Sequence, residues 1–388
     1  MSYLKYALAF FCFLTFAVQA KVHLTEQIDN TEVFDVYWAG FAFLGDFNQR
    51  ETRYPYSSQI SKEKNNGQSV IDVEIGKALQ DFNNPNINLK TELSTKPGAI
   101  AMAVGLSYED AYTVKFGSNE YKTTYDLALN IILFDFAEKK IIAVHPLRLF
   151  YLDASDSKPS ADKNKNIFNK LYSGQLELNI FNEIVKKLNA LSLRKAYGNY
   201  IGIRSINFKG STQDLIPDSL LQNNSIETQT AQEFEALLSK NTFVPVVPYT
   251  KGELIGGRMP ARFSDGSAYN LKLPEKDYLI DLDIRKFKKQ EKGSYFNYKS
   301  IITVRASTQL GEKVNLKLSR SMWNLKSGSG SGEKDQDWSL YELSLSSLLN
   351  EFTKQLATST PKWTKKHSAS KDAESQMDNL RDLLRKSQ

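Results

Sequence analysis

The stretch KGELIGGRMPAR, from Lys251 to Arg262, combines residue types that could bind an anion. Its glycines would let the backbone approach a ligand closely, and Arg258 and Arg262 could each hold a carboxylate or phosphate through two parallel hydrogen bonds. The Gly-Lys-Ser/Thr sequence of a phosphate-binding loop is missing from it. Two interpretations follow, an anion site at Arg258 and Arg262 or a turn-rich connection with solvated arginines.

Two pairs of acidic residues could serve in acid–base chemistry. Glu109 and Asp110 adjoin in a stretch that we predict to be a loop, whereas Asp281 and Asp283 alternate along a predicted strand beside Arg285. Carboxylates and arginines on the wet face of a sheet commonly form ion pairs worth about 0–1 kcal/mol. Neither pair therefore identifies a reaction.

Patterns for a nucleophile, a metal or a cofactor are no more specific. Ser61 and Ser192 each begin a Ser-x-x-Lys sequence, but the Ser-Asp-Asn and Lys-Thr-Gly sequences of penicillin-recognising enzymes are missing. The histidines, His23, His145 and His367, do not have metal-ligand spacing. We expect no metal and no cofactor and name no catalytic residue, and enzymatic activity stays open.

The stretch after residue 360 differs in composition from the rest of the chain. From Pro361 onward it contains seven basic and four acidic residues. A cationic and aromatic group precedes an apolar stripe with helical spacing. Residues 360–388 are therefore either a poorly ordered basic tail or a peptide that folds on a partner. The candidate partner-binding residues are Trp363, Lys365, Lys366, Met377, Leu380 and Leu384.

The first twenty residues have the pattern of a secretory signal peptide. Lys5 precedes an apolar run that ends at Val18, and Val18 and Ala20 occupy the small-residue positions before a cleavage site. The alternative is a membrane anchor, but the run is shorter than the ~20 residues that span a bilayer. Cleavage after Ala20 would also remove Cys12, the one cysteine, so the exported chain could form no disulfide. We predict a periplasmic protein.

Length and charge narrow the class of protein further. The chain has 388 residues, which favours two domains. Its formal net charge is +6, and residues 360–388 carry much of this charge. The body is therefore close to neutral and does not indicate a nucleic-acid-binding protein. After residue 20 no apolar run is long enough to span a bilayer.

The chain contains one octet twice, as FNEIVKKL and as LNEFTKQL, which begin at Phe181 and Leu349. Other similar pieces precede the two octets in the same order. Each match alone is weak, but their common order predicts an internal duplication. The further matches are GFAFLGD with SINFKGS (Gly40 and Ser205), YDLALNI with YLIDLDI (Tyr125 and Tyr278) and IIAV with IITV (Ile141 and Ile301).

Each copy shows the same order of predicted elements: a buried strand, a helix, strands with period-two alternation, a polar loop and a closing helix. Alternation places Leu127, Leu129 and Ile131 on one packed face, and Ile280 and Leu282 on another. The predicted fold is α+β, with two tandem related units, each an antiparallel or mixed sheet with two helices on one face. The predicted organisation is a signal peptide at 1–20, copy one at 31–195, copy two at 197–359 and a tail at 360–388.

The order strand, helix, short strand FVPVVPY (Phe243 to Tyr249), meander and helix resembles the small α+β modules of bacterial envelope-assembly proteins. Such modules form the amino-terminal domain of the Tol-system periplasmic protein and parts of flagellar H-ring and curli-secretion proteins. The resemblance implies a protein-binding role in the cell envelope. It is architectural, spans most of residues 31–359, and transfers no functional residue to this chain.

Residues shared by the two copies are nearly all apolar, so the repeated part is a scaffold. Function would then lie in diverged loops, in the cleft between the units or in the tail. We expect a non-enzymatic periplasmic protein that binds or assembles another envelope component, such as an envelope or periplasmic protein. The alternative is a hydrolase or a small anionic-ligand-binding protein that uses the inter-module cleft.

Overall fold

The computed structural model describes residues 32–92, 94, 96–115, 120–176, 178–194, 196–221, 225–250, 257–325, 334–358 and 361–388. The predicted signal peptide and residues 251–256 of the candidate anion loop lie outside these ranges. In the described ranges, sheets and helices are mixed along the chain, which confirms the predicted α+β class.

The first half of the chain contains strands and short helices. Its strands are β1 (Phe34–Leu44), β2 (Lys64–Asn65), β3 (Gln68–Ser69), β4 (Ile87–Lys90), β5 (Ile100–Lys115), β6 (Tyr121–Asp135) and β7 (Lys140–Ser155). Its helices are α1 (Arg50–Arg53), α2 (Ser57–Lys62), α3 (Val70–Ala78), α4 (Ala161–Ser173) and α5 (Ile180–Asn189).

The second half contains longer helices. Its strands are β8 (Ile201–Phe208), β9 (Val246–Val247), β10 (Arg258–Phe263), β11 (Ala268–Lys272), β12 (Tyr278–Lys292), β13 (Tyr295–Thr308) and β14 (Gly311–Leu325). Its helices are α6 (Asp218–Leu221), α7 (Ser225–Thr242), α8 (Lys334–Thr358), α9 (Pro361–His367) and α10 (Ala373–Lys386).

Five strands of the seven-stranded first sheet lie in the spatial order β4, β1, β5, β6, β7. Strand β1 runs parallel to β4 and β5, and β5 to β7 form an antiparallel meander. Leu127, Leu129 and Ile131 of β6 are buried in the first core together with residues of α3, α4 and α5. The packed face that alternation predicts for this strand is therefore confirmed.

The second sheet has the spatial order β9, β8, β12, β13, β14. Strand β8 runs parallel to β9 and β12, and β12 to β14 form an antiparallel meander. Ile280 and Leu282 of β12 are buried in the second core with Phe234 of α7 and Phe352 of α8. These five strands thus have the same order and the same pairing directions as β4, β1, β5, β6 and β7 of the first sheet.

The two sheets also share their irregularities. One extra residue interrupts the pairing at equivalent places: Ala39 in β1 and Arg204 in β8, Ser107 in β5 and Arg285 in β12, and Ile142 in β7 and Lys313 in β14. Such bulges are specific features of a fold, because each shifts the register and bends the strand. Three matched bulges support the duplication that the octets predict, which we retain as a proposal.

Two of the sequence matches join strands that are not equivalent. By spatial order, β6 corresponds to β13, but the match from Tyr125 to Tyr278 joins β6 to β12. The match from Ile141 to Ile301 likewise joins β7 to β13. The misassignment by one strand arises because neighbouring strands of a meander have the same apolar alternation.

The β10–β11 hairpin belongs to the first sheet although it lies in the second half of the chain. Phe263 of β10 is paired with Ala42 of β1, and Lys272 of β11 is paired with Lys140 of β7. The first sheet is thereby closed into a ring of β1, β5, β6, β7, β11 and β10. The division of the chain into units at residues 195 and 197 stays a prediction, and this hairpin crosses it.

Helices α7 and α8 lie between the two sheets, since α7 contacts β7 and β8 while α8 contacts β5, β13 and β14. The part of the first sheet's face that packs against the β10–β11 hairpin has small residues: Ala103 is buried with Met259, and a Cβ added to Gly105 would lie 2.7 Å from the Leu44 side chain. By the matched bulges, Ala103 and Gly105 correspond to Asp281 and Asp283 of β12. The equivalent face of the second sheet is therefore polar.

Candidate functional site

The structure places Arg258 and Arg262 on β10, on the strand face opposite its buried residues Met259, Ala261 and Phe263. Arg258 is exposed and Arg262 is partly buried. The two arginines are four positions apart, which is about 13 Å along an extended strand. They form a row on a strand rather than a preset clamp around one small anion, and the anion site stays a prediction.

The apolar stripe of the tail packs inside the protein. Met377, Leu380 and Leu384 of α10 are at most 1% exposed and belong to the second core. Helix α10 lies along β14 and contacts α8. A partner would reach these three side chains only if α10 left the sheet, so their role in partner binding stays a prediction.

The tail residues that precede α10 contact the rest of the protein only in part. Trp363 of α9 packs against the second core, and its ring centroid lies 4.9 Å from that of His367. Lys365 and Lys366 are exposed, and Lys365 Nζ lies 3.5 Å from Glu374 Oε1. Of the candidate tail residues, these two lysines remain accessible to a partner.

A network of buried charges joins the two halves. The Arg148 guanidinium, on β7, donates to the Asp126 carboxylate of β6 through Nε (2.8 Å) and Nη2. Its Nη1 donates to the Gln229 carbonyl of α7 (2.8 Å) and lies 3.6 Å from Glu233 Oε2. The side chains of Arg148 and Asp126 are 3% and 2% exposed. The guanidinium therefore ties the first sheet to a helix of the second half.

The same junction contains more carboxyl groups than cations. Burial raises the pKa of Glu342 on α8 to about 7, and neighbouring Glu233 adds to this shift. Burial and the charge of Asp126 raise the pKa of Asp110 on β5 to about 6. Burial also lowers the pKa of Lys122 on β6. The junction is thus sensitive to pH near neutrality.

Glu109 and Asp110 lie in β5, so the predicted loop at these residues was wrong. The acidic pair interrupts the apolar alternation, but Glu109 finds its partners inside the first core. Its carboxylate accepts hydrogen bonds from the backbone N–H of Tyr56 (2.7 Å) and of Ser57 (2.9 Å). Burial raises the pKa of Glu109 to about 7. This carboxyl group therefore has a structural role, because its hydrogen bonds fix α2 against the sheet.

A small cavity between the halves is lined by Ser107, Asn130, Gln232, Glu235 and Tyr249, among other residues. Its volume is about 20 Å³, which is room for about one water molecule. Burial raises the pKa of Glu235, and its Oε1 has no hydrogen-bond partner among the described residues. A cavity of this size does not admit a substrate, so it lends no support to a hydrolase site in the cleft.

The outer face of the second sheet, opposite the second core, carries a concentration of cations. We call this surface the basic face. Strand pairing places the residues of β8, β12, β13 and β14 on it, and Lys209 directly follows β8. The acidic residues there are Asp281, Asp283 and Glu312. The basic residues of the face include Arg204, Lys209, Arg285, Lys286, Lys288, Lys299, Arg305 and Lys317.

Two aspartates at the centre of the basic face hold its arginines. Asp281 accepts a hydrogen bond from Arg204 Nε (2.9 Å). Asp283 accepts one from Arg305 Nη1 (2.7 Å) and lies 3.7 Å from Arg285 Nη1. Burial alone would raise the pKa of both aspartates, but hydrogen bonds from the arginines and polar neighbours outweigh it and lower the pKa. The predicted polar strand face with Asp281, Asp283 and Arg285 is thus confirmed.

The charges of the lysines on the basic face are balanced by fewer acidic partners than the charges of its arginines. Lys286, Lys288, Lys299 and Lys317 make no ion pair within the described part of the chain. Lys288 of β12 lies directly opposite Lys299 of β13. Like charges in directly opposed positions destabilise a sheet. The repulsion between the two lysines remains in the folded protein, and an anion bound beside them would reduce it.

Sequence reasoning missed the basic face because its cations are spread over four strands that only pairing brings together. The available signal was the alternation after Arg285, where Lys286 and Lys288 stay on the polar side of β12. On β13, Lys299 and Arg305 alternate in the same way. A body that is nearly neutral in total can therefore segregate its charge on one face.

The described part of the chain meets the requirements of neither a metal site nor a membrane-spanning helix. Within it, no group of three or more His, Cys, Asp and Glu side chains is arranged to hold a metal ion. No helix in those same ranges is both long enough and apolar enough to cross a membrane.

Comparisons with known proteins do not assign the chain to a family. No family model and no curated protein matches it. Among solved structures, a minor lipoprotein from Acinetobacter baumannii is similar at 13% identity and a TM-score of 0.22, with 41% of this chain and 93% of that chain covered. A hypothetical protein from Chlamydia trachomatis is similar at 13% identity and a TM-score of 0.21, with 40% and 93% covered. At these TM-scores the similarity supports no conclusion about function.

Proposed function

We propose that this chain is an exported protein of the bacterial envelope that acts by binding another envelope component, without catalysis, and that the basic face is its binding surface. The main support for this proposal is a group of four exposed or partly exposed lysines. They make no ion pair in the described part of the chain, and two of them are directly opposed. The apolar run and small-residue cleavage pattern at the start of the sequence support export and a periplasmic location.

The other binding surfaces that the sequence suggested, the cleft between the units and the apolar stripe of the tail, are already covered by other parts of the chain. Helices α7 and α8 and the charges around Arg148 fill the junction between the sheets. The apolar stripe of α10 belongs to the second core. The basic face, by contrast, presents Arg204 and Arg285 with side chains about half exposed, at 52% and 51%. A binding role for the basic face therefore needs no rearrangement of the fold.

The face should act through charge complementarity, so its partner should be acidic. Cations at a binding surface raise the rate of encounter with an anionic partner and weaken this attraction as salt is added. The alternative, a hydrolase or anionic-ligand-binding protein that uses the cleft, has less support, since the cavity described between the halves holds about 20 Å³ and Arg258 and Arg262 lie on an outer strand face.

The test compares two variants with the same change in charge. Lys288→Glu/Lys299→Glu alters the basic face, and Lys96→Glu/Lys158→Glu alters exposed lysines of the first half. Each protein, purified after export and immobilised, is exposed to fractionated envelope material. We expect the basic-face variant to retain an acidic component about tenfold less than the wild type, and the control variant to retain it fully. Equal retention by all three proteins would rule out the basic face.

A further inference from the structure

We infer that the basic face binds the surface of an anionic phospholipid bilayer, with Lys286, Lys288, Lys299 and Lys317 supplying the attraction. This inference rests on the proposed function, since it names the acidic envelope component that the face contacts. The protein would lie on the bilayer surface through its second sheet.

The type of cation favours lipid over a protein partner. Arg204 holds Asp281 through two hydrogen bonds and Arg305 donates one to Asp283, so these two guanidinium groups are already engaged within the chain. The cations of the basic face that make no ion pair among the described residues, Lys286, Lys288, Lys299 and Lys317, are all lysines. Protein–protein interfaces are depleted in lysine and enriched in arginine and aromatic residues. Anionic bilayers, in contrast, attract clustered basic side chains without requiring a fixed hydrogen-bond geometry.

The spacing of the lysines favours an extended anionic surface over one small anion. Lys288 and Lys299 are cross-strand neighbours, with Cβ atoms about 5 Å apart. Lys286 is about 7 Å from Lys288 along the same strand. Lys317 is paired with Thr303, which lies about 13 Å along β13 from Lys299. A surface with many phosphate groups can contact all four ammonium groups at once.

An aromatic side chain lies at the end of the same face. Tyr295 is 47% exposed, and strand pairing puts it on the side of β13 that carries Lys299. Its neighbours Phe296 and Tyr298 point to the other side, into or against the second core. Tyrosine is enriched at the level of lipid headgroups, where its ring is partly buried and its hydroxyl stays wet. Tyr295 would contact headgroups while the lysines attract phosphates.

The experiment measures co-sedimentation of the protein, purified after export, with vesicles of phosphatidylcholine alone or mixed with phosphatidylglycerol. We expect binding to the mixed vesicles at low ionic strength, and its loss in high salt and with phosphatidylcholine alone. Each lysine near an anionic bilayer is worth about a fivefold change in affinity. Lys288→Gln/Lys299→Gln should therefore bind about 25-fold more weakly, and Lys96→Gln/Lys158→Gln should bind as the wild type does.

Three results would overturn the inference: no binding of the wild type to mixed vesicles, unchanged binding by the basic-face variant, or an equal loss in the control. Folding of each variant is checked by its unfolding midpoint, which removal of two opposed like charges should not lower. If vesicles fail but the immobilised wild type still retains an acidic protein through the basic face, the lipid inference is wrong and the proposed function stands.

Discussion

Replacing Arg148 by methionine should lower the free energy of unfolding by about 3–5 kcal/mol. The change removes the guanidinium but keeps an unbranched side chain of similar reach. It leaves Asp126 with its side chain 2% exposed and Glu233 12% exposed, both without their buried cation. It also leaves the Gln229 carbonyl without its donor. Urea or guanidinium unfolding, followed by circular dichroism, measures the effect.

The matched control is Arg285→Met on the basic face. Arg285 has a side chain 51% exposed and also faces an aspartate, at 3.7 Å, so its loss should cost at most about 1 kcal/mol. The double variant Arg148→Met/Asp126→Leu should recover part of the lost stability, because it removes the unpaired carboxylate. Equal, small effects of Arg148→Met and Arg285→Met would show that the buried network does not join the halves.

Between pH 5 and pH 8 the wild-type protein should become less stable, and Glu342→Gln should reduce this loss by an amount on the order of 3 kcal/mol. The folded-state pKa of Glu342 is raised to about 7. A raised pKa contributes stability that is fully present below the unfolded value, near 4.5, and is lost as pH rises through about 7. Glutamine cannot ionise, so it removes this dependence.

Groups that face Glu342 set the size of the effect. Glu233 and Asp126 oppose its ionisation, whereas Lys122 and Arg148 favour it, and Gln229 Nε2 lies 3.4 Å from its Oε1. The control is Glu138→Gln on the exposed β6–β7 turn, which should keep the wild-type pH profile. Unfolding midpoints at pH 5, 6, 7 and 8 give the comparison. Parallel profiles for wild type and Glu342→Gln would contradict the assigned burial.

The lowered pKa values of the two aspartates on the basic face affect stability in another pH range. Hydrogen bonds from arginines lower the pKa of Asp281 and Asp283 despite partial burial. Their stabilising contribution is present above the unfolded pKa near 3.8 and is lost as pH falls through the lowered value. It is therefore constant between pH 5 and pH 8 and does not obscure the profile of the junction.

Local patterns predicted the elements and their buried faces. The stripes Ile184 and Leu188 of α5, and Leu349 and Phe352 of α8, are buried as helical spacing indicates. The same spacing in α10 placed Leu384 correctly on an apolar face. What it could not supply was the identity of the surface that covers that face, because an apolar stripe fits a partner or the chain's own core equally well.

Long-range pairing explains the features that the sequence did not predict. The hairpin that starts at Arg258 has short strands and Pro260, and nothing in its pattern indicates that it pairs with β1 rather than with neighbouring β12. Arg148 meets Gln229 across 81 residues. Charges brought together at such separations leave no periodic signal, and the junction and the basic face both depend on them.

The most direct measurement of the proposed binding role is lysine labelling of the protein in intact cells and after purification. If the basic face contacts an envelope component, Lys286, Lys288, Lys299 and Lys317 should react more slowly in cells than in the purified protein. Exposed Lys96 and Lys158 should react alike in both. Unchanged reactivity of the four lysines in cells would contradict binding through this face.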